Sequence, residues 1–238
     1  MPNLVKLPEI GKAVFVGDTH SDIQASRAVI KSYAKKGYFI IFLGDYVDRG
    51  NGDRANIDYL LDVAKQNSKI ILLAGNHEYF PVSPVSPSEF WDLLTPEEVV
   101  SYFKEFQKFP LAVEGKGFIA LHAGLPDLKK DDDWNKIKTG DENWTKILWA
   151  DFRDKEGEVL GELAGRIKLG ATYFARVMKN LCKNVLIRSH DPLAKERMFD
   201  NRCLTIFTSS SYGRERKIAI LDLSREIRTI DDVEIINF

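Results

Sequence analysis

Short apolar runs, each closed by a glycine and a polar residue, set the rhythm of the first eighty residues. Ala13-Val14-Phe15-Val16, the stretch from Tyr38 to Leu43 and the stretch from Lys69 to Leu73 are too short for buried helices and predict strands covered on both faces. Between the first two, Ile23, Ile30, Tyr33 and Ala34 fall on one helical face. That helix opens with Ser21-Asp22-Ile23-Gln24, which reads as a capping box with Ser21 at the N-cap. Between the second and third, Ile57, Leu60, Leu61 and Ala64 predict a helix over 53–66. Strand, helix, strand, helix, strand predicts parallel βαβ units with right-handed crossovers.

The pattern changes after residue 80. A proline-rich break over 81–87 precedes a helix over 95–107. Residues 111–113 and 118–121 predict a hairpin around Glu114-Gly115-Lys116-Gly117, a reading preferred to a loose dinucleotide fingerprint because no helix follows the glycines. Asp131 to Asp141 reads as an exposed acidic loop. Ala171, Phe174, Val177, Met178 and Leu181 define another helix, with Cys182 expected to pack beside Leu181. Strands are predicted over 185–187, 204–207, 218–221 and 226–230, forming a second sheet packed on the first. The expectation is one α/β domain over 1–238.

Length and composition narrow the classes. A chain with 44% hydrophobic and 29% charged residues folds rather than staying disordered. Its 34 basic and 35 acidic residues leave a net charge of -1, so no overall field draws it to nucleic acid or an anionic membrane. No apolar run approaches a membrane span, and residues 1–10 lack the pattern of a signal peptide. Two cysteines, Cys182 and Cys203, make no disulfide framework and fit a reducing, cytoplasmic setting. The four tryptophans read as core or lid residues, since no basic stripe accompanies them.

Candidate chemistry sits at the strand ends. Gly17-Asp18-Thr19-His20 follows the first strand, Gly44-Asp45-Tyr46-Val47-Asp48-Arg49-Gly50 the second and Gly75-Asn76-His77-Glu78 the third. His122-Ala123-Gly124 and Arg188-Ser189-His190 close two later ones, so all 4 histidines of the chain stand directly after predicted strands. Parallel sheets bind ligands at the carboxyl ends of their strands, which brings these loops to one crevice. Aspartate, asparagine and imidazole suit divalent Mn, Fe, Zn or Co. The donors are too many for one tetrahedral site and suit two ions sharing a carboxylate. Such a pocket carries net positive charge and favours a phosphate dianion.

In this order the five motifs resemble those of the PPP-family metal-dependent serine/threonine phosphatases, within the calcineurin-like metallophosphoesterases, over residues 13–213. Trp149-Ala150-Asp151, Arg166 with Gly170, and Ser211-Tyr212-Gly213 are looser matches. The resemblance implies two packed mixed β-sheets flanked by helices and two divalent ions, Mn2+ foremost. One ion would be held by Asp18, His20 and Asp45, the other by Asp45, Asn76, His122 and His190. It further implies His77 as general acid oriented by Asp48, a metal-bound hydroxide as nucleophile, and Arg49, Arg166, Asn76 and Tyr212 around the phosphate. The implied substrates are phosphoserine and phosphothreonine in proteins. A symmetric dinucleoside tetraphosphate hydrolase and an inactive phosphoprotein-binding module are the alternatives. Departures are Ser21 and Ala123, where glycine is usual, and the lack of a cysteine after Tyr212.

Overall fold

The computed structural model describes residues 2–50, 54–129, 132–163 and 165–238. After an unpredicted strand β1 (Leu4–Lys6), which pairs in the other sheet, the predicted βαβ units are present as β2 (Lys12–Val16), α1 (Ile23–Tyr33), β3 (Phe39–Phe42), α2 (Ala55–Gln66) and β4 (Ile70–Leu72). β2, β3 and β4 run parallel and in register, Val14 beside Ile40 and Ile40 beside Ile70. The first residue assigned to the second predicted helix, Asp53, lies outside the described residues. The cap of α1 shifts by one position from expectation. Ser21 takes a φ of 58° because its N–H is drawn to the Tyr46 carbonyl, so Asp22 accepts from the Ala25 N–H instead.

The chain continues through α3 (Glu89–Asp92), α4 (Pro96–Phe106), β5 (Ala112–Gly115), β6 (Phe118–Leu121) and α5 (Glu142–Trp149). Thr95 and Glu98 form a complete capping box at the start of α4. α5 is an element the hydrophobic pattern did not single out, though Asp141 caps it and Trp144, Ile147 and Leu148 bury one face. Just before it, Trp134 is buried in a region expected to be exposed; Asp132 and Asp133 face solvent, and Asp131 lies outside the described residues.

β7 (Asp151–Phe152), β8 (Val159–Leu163) and β9 (Arg166–Leu169) make a small sheet that the sequence did not announce. Its outer strand β8 is largely exposed and lacks alternation. After α6 (Ala171–Asn180) come β10 (Val185–Arg188), β11 (Arg197–Met198), β12 (Cys203–Thr205), β13 (Lys217–Asp222) and β14 (Glu234–Asn237). Cys182 is exposed rather than packed, because the chain turns through a φ of 53° at that residue as it leaves α6.

The late strands divide between the two sheets instead of forming one. β1, β5, β6, β10, β12 and β11 build one sheet, while β13 and β14 join the first in the order β14-β13-β2-β3-β4. β13 is apolar on both faces, Ile218-Ala219-Ile220-Leu221, and so belongs in a sheet interior beside β2. The strand expected over 226–230 is absent. Ile227 and Ile230 are three apart rather than two, and both plug the space between the sheets while β14 forms four residues later.

Two cores result. One lies between the sheets, where Phe15 meets Phe118 edge-to-face at 5.6 Å and Ile41, Leu43, Ile187 and Leu204 interdigitate. The other lies under the helices that cover the outer faces. No described helix is long and apolar enough to cross a membrane. Because Phe118 is fully buried between two sheets that cannot collapse onto a gap, Phe118→Ala should cost about 3–5 kcal/mol in denaturant unfolding. A loss below about 1 kcal/mol would contradict this inter-sheet core.

Candidate metal centre

β2, β3 and β4 all deliver their carboxyl ends to one side of the molecule, and β6 and β10 of the facing sheet deliver theirs beside them. The two sheets are tied there by a parallel bridge between Asp18 and Phe207 and by the Asp18 N–H donating to Ser189 Oγ (2.9 Å). Glu78 fixes the loop after β3. Its carboxylate accepts the N–H groups of Gly75 (3.1 Å), Asp45 (2.9 Å) and Tyr46 (2.7 Å). A side chain at Gly75 would place its Cβ 2.3 Å from the Asp45 nitrogen, so only glycine lets these loops approach.

The loops are also strained. His20, Asp45, Asp48, Arg49 and His190 have φ values of 36°, 55°, 64°, 57° and 73°. Each costs on the order of 1–3 kcal/mol, and the surrounding fold holds all five at one crevice.

The side chains they carry converge. His20 Nδ1 donates to the Val47 carbonyl (2.7 Å) and His122 Nδ1 to the Leu43 carbonyl (2.8 Å), which leaves both Nε2 lone pairs facing inward. Asp45 spans the two: its Oδ2 is 3.6 Å from His20 Nε2 and its Oδ1 3.4 Å from His122 Nε2. Asp18 Oδ2 lies 3.7 Å from His20 Nε2. On the other side Asn76 Oδ1 is 3.0 Å from both His122 Nε2 and His190 Nδ1. His20, Asp45 and His77 form one group of potential ligands and Asp45, His122 and His190 another, with the donor atoms of each within 4.8 Å.

Burial controls the protonation of this cluster. It drives His20 and His190 well below the ordinary imidazole value and His122 down to about 4, so their neutral, ligand-competent forms prevail. Burial, reinforced by the charge of Asp45, raises Asp18 to about 6, and burial raises Asp45 as well. Two desolvated carboxylates and an amide oxygen facing an imidazole lone pair at 3.0 Å repel one another. A cation removes that repulsion, and this oxygen and nitrogen set fits a pair of divalent ions sharing Asp45.

Around this cluster lie the remaining residues singled out in the sequence. His77 Nδ1 is 2.6 Å from Asp48 Oδ2, whose other oxygen accepts the Phe90 N–H, and Trp91 Nε1 donates to the His77 carbonyl. The Tyr212 hydroxyl reaches His20 Nε2 (2.6 Å) and Asp18 Oδ2 (3.3 Å), and the Arg49 guanidinium lies over the Tyr212 ring. Arg166, from β9, directs Nη2 at Asp151 Oδ1 (2.6 Å) and His190 Nε2 (2.7 Å), and its buried Nε has no partner among the described residues.

His77, Arg49, Tyr212 and Arg166, with Asp45, Asn76 and His190, line a cavity of 260 Å3 whose rim includes Trp149 and the 84–86 loop. All the predicted site residues therefore meet in one place. The sequence did not reveal the work of Glu78, which touches no part of the cavity and acts through three backbone N–H groups, nor of Asp151, which anchors Arg166.

Cation binding should be proton-coupled, because the raised Asp18 carboxyl holds its proton up to about pH 6. Affinity for Mn2+, read by calorimetry, should fall as pH drops from roughly 7 to 5, with protons released on binding. A flat affinity across that window would show that Asp18 is not among the ligands.

Comparison with known proteins agrees with this geometry. The calcineurin-like phosphoesterase family profile matches residues 11–192. A protein of Encephalitozoon cuniculi named "Probable serine/threonine-protein phosphatase" is 27% identical over 228 residues, 88% of this chain and 49% of the relative. The serine/threonine-protein phosphatase 6 catalytic subunit of Caenorhabditis elegans is 28% identical, over 72% of this chain and 56% of its own. The chain thus spans about half the length of these curated relatives. A protein serine/threonine phosphatase from Saccharomyces cerevisiae, similar to human phosphatase PP5, superposes with a TM-score of 0.77. That superposition covers 100% of this chain and 84% of the yeast one at 21% identity, and it speaks for the fold. With most of its length matched and its donor residues gathered at the strand ends, the chain belongs to the calcineurin-like phosphoesterase family.

Proposed function

We propose that the chain hydrolyses phosphoserine and phosphothreonine monoesters in proteins at a centre of two divalent cations. Asp18, His20 and Asp45 would hold one ion, and Asp45, Asn76, His122 and His190 the other. This set, equally divided between oxygen and imidazole donors, accepts Mn2+, Fe, Zn or Co, and Mn2+ is proposed foremost. Bound there, the ions lower the pKa of a water and polarise the phosphoryl oxygens.

The chain's own groups do the rest. Arg49 and Arg166 present planar forks that match pairs of phosphate oxygens, and their bonds strengthen as charge moves outward in the transition state. Asn76 and Tyr212 border the same cavity and help to place the phosphate. Water attacks phosphorus opposite the ester oxygen and gives up a proton to solvent, the ester bond breaks, and the departing alkoxide takes a proton from His77 Nε2, which solvent then replaces.

One observation carries this reading: the His77–Asp48 contact of 2.6 Å at the wall of the cavity. His20 and His122 lean on neutral carbonyls, whereas His77 leans on a carboxylate that offsets positive charge on the ring and fixes its orientation. His77 also stands within ligand reach of His20 and Asp45, and its carboxylate partner is what favours a proton-donor role over a third imidazole ligand.

His77→Ala should lower turnover of a phosphoserine peptide by about 10²–10⁴-fold. Bound metal should stay at two ions. An aryl phosphate, whose leaving group needs little protonation, should lose far less. Loss of metal with activity retained would overturn the assignment. Faster turnover of a dinucleoside tetraphosphate than of the phosphopeptide would replace the proposed substrate class.

A further inference from the structure

Behind the cavity, charged groups continue in a line that no step of the proposed chemistry uses. Asp151 receives Arg166 Nη2 on Oδ1 (2.6 Å) and Arg153 Nη2 on Oδ2 (3.4 Å). Arg153 turns its other terminal nitrogen, Nη1, to Asp191 Oδ2 (2.5 Å) and to the Phe152 carbonyl (2.8 Å). Asp191 Oδ2 in turn lies 3.9 Å from Nη2 of Arg188, a fully buried arginine stacked over Phe152. Both carboxylates are almost wholly buried, and Asp191 directly follows His190. The ladder therefore joins the strand end carrying a metal-site histidine to β9, the strand carrying Arg166.

Arg153 does not line the cavity, so it cannot grip a phosphate there. Its effect is exerted through Asp151. That carboxylate sits between two guanidinium groups, and Arg153 offsets part of its charge. Without Arg153, Asp151 would face Arg166 alone and the two would close into a neutral pair turned away from the substrate. Asp191, buried, would be left with Arg188, 3.9 Å away, as its only cationic contact among the described residues, a costly arrangement for a buried carboxylate.

We propose that Arg153 is a positioning residue for phosphate recognition, keeping Arg166 aimed at the cavity by sharing Asp151 with it and anchoring itself on Asp191. The inference rests on the phosphate-binding role given to Arg166 above.

A double-mutant cycle tests it in the metal-loaded protein with Arg153→Met, Arg166→Met and the combined variant. The readouts are KM and kcat for an aryl phosphate, Ki for inorganic phosphate, and bound metal. Arg153→Met should raise Ki by roughly tenfold, the scale of one charge-assisted hydrogen bond, and lower kcat/KM by at least as much, with metal content little changed. Arg153→Lys should recover part of the loss, since an ammonium restores charge but reaches only one carboxylate. On the Arg166→Met background the same substitution should add less than about twofold.

Effects that multiply independently, or an Arg153→Met protein altered only in thermal stability, would overturn the inference while leaving the role of Arg166 intact. An Arg166→Met protein with unchanged Ki would overturn that role, and the inference with it. If Arg153→Met does not fold, Arg153→Lys carries the same cycle.

Discussion

Everything at this site follows from the cost of burying like charges together. Asp18 and Asp45 are withdrawn from water within reach of neutral imidazoles, so nothing in the chain itself compensates them fully. Such an arrangement is unfavourable by several kcal/mol unless a cation enters. The fold tolerates it because the surrounding layers are held elsewhere by two apolar cores and by pairing across β2, β3 and β4. Stability is concentrated in the sheets and spent at their carboxyl ends.

The strained loops serve the same end. A positive φ at Asp45 and at His190 turns each side chain back over the end of its strand, toward the other sheet. Glu78 makes this possible by satisfying three N–H groups that the sharp turn would otherwise leave unpaired in the interior. Burial, reinforced by the charge of Asp45, pushes the Glu78 carboxyl well above the ordinary range despite the donated N–H groups. The donor atoms on these loops are thereby placed by backbone geometry before any ligand arrives, a form of preorganisation.

Much of this was legible in the chain because two local signals agreed. Apolar runs located β2, β3, β4, β6 and β10, and the glycine-plus-polar clusters after them located the crevice. What escaped has physical causes. β13 joined the first sheet because both of its faces are apolar, a property that names an interior strand without naming which sheet. The 226–230 stretch was misread because Ile227 and Ile230 fill a gap between sheets rather than alternate across one. The β8–β9 hairpin escaped since its outer strand is exposed on both sides, and with it the setting of Arg166 on a strand. Glu78 and Asp151 act on other residues rather than on a ligand, and such roles leave no spacing to read.

The most direct test is anomalous diffraction from crystals of the protein loaded with Mn2+. The account predicts two peaks roughly 3.5–4 Å apart, with Asp45 between them and His20 and His122 on opposite sides. A single fully occupied peak in a protein turning over phosphoserine, or peaks away from Asp45, would contradict it.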